Sequence, residues 1–238
     1  MSSHEILTAE AHRDLRIRTD RSAELGDGVM SCITFPNEFR RVQDEYPILF
    51  KRNAERDSFV ALAMFGFEAG ENLFLNGDRW DALYRPLAMD IQPFLIGGNA
   101  DANGDRQVHV DVSSSRIGAS EGIRVFDEFG RPTPFLETIA EQLGELDEGY
   151  RSSDDFFAAL RRHGLLEPMS LEVTLNDGST HRLVGFHVID EERLASLDEA
   201  ALGELQSGGH LMPIFMAVAS LSKLTALIAR KNEKVGRG

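Results

Sequence analysis

The sequence predicts an α+β fold: a mainly antiparallel sheet with flanking helices and an apolar C-terminal helix. Three observations carry that expectation. Short apolar runs bounded by turn residues fill the first half, helix-spaced stripes with end signals occupy Thr133 to Gly164, and Met169 to Ile189 reads as a hairpin around Asp177-Gly178. The 238 residues, 42% of them hydrophobic, are enough for one self-supporting core. A single domain over 32–230 is expected, with 1–31 a flexible N-terminal segment and 231–238 a frayed tail.

Gly26-Asp27-Gly28 reads as the last flexible joint before Cys32-Ile33-Thr34-Phe35 opens ordered structure. Tyr46 to Phe50, Phe59 to Phe65 and Leu73-Phe74-Leu75 follow as antiparallel strands, the last two separated by a turn at Glu68 to Asn72. Gln107 to Val112 alternates cleanly, Val108, Val110 and Val112 on one face and Gln107, His109 and Asp111 on the other. Thr133 can cap a helix with Pro134 at its first position, and Phe135, Ile139, Leu143 and Leu146 form its stripe. A second helix is read from Ser152 or Ser153, with Asp154 and Asp155 at its positive end, Arg161, Arg162 and His163 at its negative end, and Gly164 as its stop.

In the hairpin, pairing Asn176 with Ser179 sets Met169, Leu171 and Val173 on one face with Phe186, Val184 and Arg182. His181, Leu183, Gly185 and His187 then share the other face. Ser196 to Glu199 is a capping box for a short helix, Gly208-Gly209 breaks it, and an apolar helix runs to about Arg230. That tract is interrupted by Pro213, Ser220, Ser222, Lys223 and Thr225, and a mid-span lysine costs about 2.5–3.5 kcal/mol on insertion scales. It is therefore read as a core helix, with no membrane span.

Charge and cysteine usage narrow the function classes. With 25 Lys+Arg against 39 Asp+Glu the net charge is −14, so nucleic-acid binding, which needs clustered cations, is disfavoured. The lone Cys32 excludes an intramolecular disulfide framework and a cysteine-rich zinc site, and is read as a buried, inert thiol. The N-terminus has no apolar stretch of secretory type, so a soluble cytoplasmic protein is expected, with signal-independent export to the surface left open.

The ordered landmarks Tyr46-Pro47-Ile48-Leu49-Phe50, Gly70-Glu71-Asn72-Leu73-Phe74, Gln92-Pro93-Phe94, Val125 to Gly130 with Pro132-Thr133, Leu165 to Pro168, Asn176-Asp177-Gly178, Gly185-Phe186 and Ser220-Leu221 span about Phe35 to Leu227. Together they resemble the bacterial SapC-like family, named for association with surface layers. The resemblance implies an S-layer-associated role. It also implies company with TonB-dependent receptors and flavin-dependent halogenases, hence an accessory role in uptake or modification. No catalytic residue set transfers with it.

His109 and Asp111, two apart on one strand face and about 6.6 Å apart along it, have the spacing of an Fe(II) facial triad. A second histidine would come from His163, His181, His187 or His210, with His187 the candidate taken, and Arg182 or Arg193 could hold a 2-oxoglutarate carboxylate. His181 and His187, about 20 Å apart along a straight strand, cannot share one ion. Asn99, Asp101, Asn103 and Asp105 with Gly104 resemble half of a Ca²⁺ loop, though Val110 stands where a bidentate Glu belongs. Trp80, Tyr84, Arg85 and Phe94 are the candidate lining of a ligand groove. Neither a nucleophile elbow nor a phosphate loop is present in the sequence.

The leading expectation is an accessory or adaptor protein that binds a protein partner and needs no cofactor. The alternative is a 2-oxoglutarate-type Fe(II) oxygenase at His109 and Asp111, and a third is a Ca²⁺-dependent surface component. The sequence fixes no oligomeric state.

Overall fold

The computed structural model describes residues 3–53, 58–97, 106–118 and 120–236. The N-terminal half runs β1 (His4–Ile6), α1 (Ala9–His12), β2 (Arg16–Ile17), β3 (Ser31–Thr34), α2 (Phe39–Val42), β4 (Ile48–Asn53), β5 (Ser58–Met64), β6 (Leu75–Asn76) and β7 (Arg79–Trp80). It continues through α3 (Leu87–Asp90), β8 (Phe94–Gly97), β9 (Gln107–Asp111), β10 (Ile117–Gly118) and β11 (Ile123–Arg124). The C-terminal half holds α4 (Pro134–His163), β12 (Leu166–Thr174), β13 (Thr180–Ile189), α5 (Glu191–Ala195), α6 (Glu199–Ser207), α7 (Leu211–Ser220) and α8 (Lys223–Val235).

The largest sheet has the order β12-β13-β4-β5-β3, and smaller ones have the orders β1-β9-β8 and β10-β2-β11, with every pairing antiparallel. With its helices packed on these sheets, the fold is α+β. Among the described residues two apolar clusters result. The larger gathers Phe39, Tyr46, Leu49, Phe50, Phe65, Phe156, Leu160, Ile214 and Leu227, and the smaller gathers Ile17, Phe94, Val110, Val125, Phe126, Leu136, Ile139 and Leu143.

Helix α4 ties the clusters together: Leu136, Ile139 and Leu143 enter the smaller one, and Phe156, Phe157 and Leu160 enter the larger. Its ends follow the expected chemistry, with Thr133 capping the Leu136 N–H and Gly164 at φ +64° closing it. The expected break before Ser152 is absent. Ser152 and Ser153 turn their hydroxyls back to the Gly149 carbonyl at 3.2 and 2.7 Å, so they serve the helix interior instead of capping a new one.

Residues expected to be flexible are built into the fold. β1 pairs with β9, setting His4 opposite Asp111 and Ile6 opposite His109, while β2 lies between β10 and β11. Ile17 and Leu25 are buried. These strands are only two or three residues long and take their partners from about a hundred residues away, so no local periodicity announces them. At the other end, where fraying was expected from Lys231, α8 continues to Val235 and buries Lys231, whose ammonium donates to Glu71 at 2.7 Å and Glu68 at 2.9 Å.

The hairpin follows the expected register from Leu166 opposite Ile189 to Met169 opposite Phe186. Beyond a bulge it shifts by one, so Leu171 faces Leu183 and Val173 faces His181. The extra residue lies on β13, where Gly185 at φ +80° takes up the bulge, and the turn accordingly has the Leu175 N–H bonded to the Ser179 carbonyl at 2.8 Å. The correction places Leu183 and Val173 together in the core and turns Val184 to solvent. Asp198, not Ser196, caps α6 through the Ala201 N–H at 2.9 Å. The apolar tract divides into α7 and α8 at Leu221-Ser222, where Ser220 accepts from the Ile48 N–H at 2.9 Å and donates to the Ala217 carbonyl at 2.6 Å.

Candidate functional site

Of the three proposed iron ligands, His109 and His187 are packed in different sheets and Asp111 holds a turn. The His109 ring on β9 lies against Gly97 of the neighbouring strand, so close that a Cβ there would sit 1.8 Å from Nε2. Asp111 Oδ1 accepts from the Ser113 hydroxyl at 2.6 Å, the Ser113 N–H at 3.0 Å and the Ser3 N–H at 3.2 Å. The Ser113 hydroxyl, aided by those N–H groups, holds the carboxyl below the usual carboxylate range, as a turn-forming aspartate requires.

His187 belongs to the other sheet, on β13 opposite Phe50, with its ring edge-on to Phe59 at 5.0 Å and its Nδ1 buried without a hydrogen-bond partner. Burial, and then the Arg52 charge, lower its pKa. His181 pairs with Glu68 at 2.8 Å and His163 with Glu204 at 3.3 Å, while His210 packs edge-on to Phe156. Among the described residues no group of three or more His, Cys, Asp or Glu side chains converges as a metal ion needs. The iron triangle of His109, Asp111 and His187 is therefore not formed. Asp101, Asn103 and Asp105, the calcium candidates, lie outside the described residues.

Trp80, Tyr84, Arg85 and Phe94 do not line one groove. Trp80 Nε1 donates to the Tyr46 hydroxyl at 2.7 Å, which donates to the Tyr84 carbonyl, and the Tyr84 hydroxyl donates to the buried Glu38 at 2.6 Å. Arg85 pairs with Asp90, and Phe94 sits in the smaller core against Phe135. The aromatic residues satisfy their polar tips internally, as buried Tyr and Trp must.

An exposed feature answers better to a binding role. Asp127 Oδ1 accepts the N–H groups of Phe129 at 2.8 Å and Arg131 at 2.9 Å, while its Oδ2 accepts from Arg131 Nε at 2.8 Å. The Asp127 N–H donates to the Arg131 carbonyl at 2.9 Å, Gly130 takes φ +78°, and Phe126 bridges to Pro132. The Arg131 N–H foremost, then its guanidinium and the Phe129 N–H, hold the Asp127 carboxyl below the usual range. This closed turn holds Phe129 in solvent, 69% exposed, with the Arg131 guanidinium 5.0 Å over its ring.

Beside the turn a groove of about 430 Å³ is lined mainly by Ile6, Leu7, Val108, Phe126, Pro132 and Leu136. Its floor is the smaller core, and Ile6 on its rim is half exposed. The groove is a mainly apolar trough, and beside it stand an aromatic ring and an arginine, residue types enriched at interfaces. The sequence reading used this stretch only as a landmark. The signal it carried was an Asp-x-Phe-Gly-Arg turn, with an aromatic side chain at a position where polar residues are usual.

No curated protein and no solved structure matches the chain. The family model of SapC matches residues 7–227, a span that takes in β2, the Phe129 turn, α4, the hairpin and α7. With nearly its whole length matched, this chain belongs to the SapC family.

Proposed function

We propose that this SapC family protein is a non-enzymatic accessory protein that holds a protein partner against the face formed by β1, the Asp127 turn and the start of α4. The observation that carries the reading is Phe129. A large aromatic ring left in water gives up burial worth about 1.5–3 kcal/mol, and Asp127 and Arg131 lock the backbone in the conformation that keeps it there. A ring fixed in place before binding loses little entropy on contact. The partner that suits it presents an apolar segment that fills the groove and packs on the Phe129 and Arg131 pair. The family's link to surface layers, and the company of TonB-dependent receptors that the resemblance implies, make envelope and uptake proteins the class in which to look.

Affinity capture from a lysate of the source organism with wild type and with Phe129→Ala tests this. A protein retained by wild type and lost with the variant is the expected result, the variant's thermal unfolding remaining nearly unchanged because the ring is mostly in solvent. Identical captures by both proteins would sink the reading.

A further inference from the structure

Helices α7 and α8 leave one face uncovered, and that face is patterned. Met212, Phe215, Ala219, Ser222, Ala226 and Ala229 are all exposed, at successive spacings of three, four, three, four and three residues. Met212 and Phe215 are 54% and 52% exposed. Thr225 is exposed beside them, and the row from Met212 to Ala229 carries no charge on a chain in which 27% of residues are charged. The opposite face is committed to the core through Ile214, Ala217 and Leu227, and Lys231 is tied to Glu68 and Glu71.

Alternating three and four is the spacing of a seam that meets another helix, narrower than the broad apolar face by which a helix lies on a bilayer. The stretch Leu211–Val235 is long and apolar enough by composition to cross a membrane, yet its inner face is part of this core. The order of side-chain sizes identifies the partner helix. The two large residues, Met212 and Phe215, open the seam, and the four small ones, Ala219, Ser222, Ala226 and Ala229, follow. A two-fold axis between Ala219 and Ser222 sets Met212 opposite Ala229, Phe215 opposite Ala226, and Ala219 opposite Ser222. Every layer then pairs a large residue with a small one, or two small ones, in the manner of an antiparallel helix pair.

We propose that this seam is the interface of a homodimer in which α7 and α8 pack antiparallel on the same helices of a second copy. Leu221 and Ser222 keep αR backbone between α7 and α8, so the seam runs about 26 Å at 1.5 Å per residue across both helices, which makes a small interface and a weak, micromolar dimer. Added salt strengthens it, because each copy carries a net charge of −14.

Sedimentation velocity of the full chain from micromolar to near-millimolar concentration tests the proposal. The expected result is a monomer–dimer equilibrium that Phe215→Glu weakens at least tenfold, with circular dichroism unchanged. Ala226→Phe alone should weaken it similarly, by setting two phenylalanines in one layer. Phe215→Ala combined with Ala226→Phe restores the large-against-small layer and should recover the dimer, which a merely unfolded variant could not do. A monomer at every concentration, or a dimer indifferent to Phe215→Glu, would overturn the proposal. So would flotation of the monomer with phosphatidylcholine vesicles that Phe215→Glu abolishes, which would assign the seam to a bilayer.

Discussion

Arg116 donates to Asp27 across 2.6 Å in the interior, the arginine 1% exposed and the aspartate fully buried. Asp27 also accepts from Arg21 at 3.4 Å and the Ser22 N–H at 3.0 Å, and Arg21 reaches on to Asp90 at 3.2 Å and the Met89 carbonyl at 3.0 Å. Burial, and then the neighbouring charges of Arg85 and Arg116, bring the Arg21 pKa down to about 10, which leaves it charged at neutral pH. This network fastens the N-terminal segment to α3 and to the turn before β10.

Removing one partner of a buried pair strands the other charge, at about 3–5 kcal/mol. Asp27→Ala is therefore expected to lower unfolding stability by that order in a urea titration. Asp27→Leu with Arg116→Met should cost less than Asp27→Ala alone, because it leaves neither charge stranded across this contact. A single variant within about 0.5 kcal/mol of wild type, the range of ordinary surface substitutions, would show that the network does not hold the segment down.

Glu38 gives a second test within the larger core. Its buried carboxylate accepts from the Tyr84 hydroxyl at 2.6 Å, the Leu87 N–H at 2.6 Å and the Thr34 hydroxyl at 2.7 Å. Glu38→Gln keeps the shape but replaces a charged acceptor of three hydrogen bonds by a neutral amide whose N–H₂ forces the Thr34 hydroxyl to turn from donor to acceptor, a loss of about 1–3 kcal/mol. Tyr84→Phe removes one donor and leaves the carboxylate its other partners, so it should be the milder change when the two variants are compared by urea titration.

These contacts mark where the sequence stops being readable. The strands of the large sheet, both ends of α4 and the hairpin were legible because alternation, caps and turn residues act over a few positions, as Thr133, Gly164 and Gly178 show. β1 and β2 were not, since two or three residues that pair with strands a hundred positions away carry no period of their own. The hairpin's shift depends on one glycine bulge, Gly185, which alternation cannot locate. Phe129 escaped notice for a physical reason: phenylalanine is ordinarily buried, and only the bonds made by Asp127 show that this one is held out.

The lowered pKa of His187 makes a prediction about acid. Burial and Arg52 disfavour its protonated form in the folded protein, and burial does the same for His210, partly offset by Asp155. The unfolded chain then takes up the proton more readily, so this contribution is complete above about pH 6.5 and is lost as pH falls through the folded-state value. Wild-type stability should decline from pH 7.5 to pH 5. His187→Phe, which keeps the edge-on contact with Phe59, should flatten that decline, and an unchanged slope would show that the ring titrates freely.

Two glycines five residues apart on α4 should respond oppositely to the same substitution. Gly144 is exposed, and a Cβ there would meet nothing within 4 Å, whereas one at Gly149 would come within 2.5 Å of Asn37 Oδ1 and 2.7 Å of Phe35 Cβ. Alanine relieves the conformational penalty of a mid-helix glycine, about 0.5–1 kcal/mol, at both positions. At Gly144 nothing opposes that gain, so Gly144→Ala should raise the unfolding midpoint. At Gly149 the backbone of α4 is pressed against the end of β3, and the added methyl must push Phe35 aside at an overpacking cost of about 1–3 kcal/mol, which exceeds the gain. Gly149→Ala should lower the midpoint. Stabilisation at both positions would mean that α4 stands off from Phe35, and the close approach that joins the long helix to the large sheet would have to be abandoned.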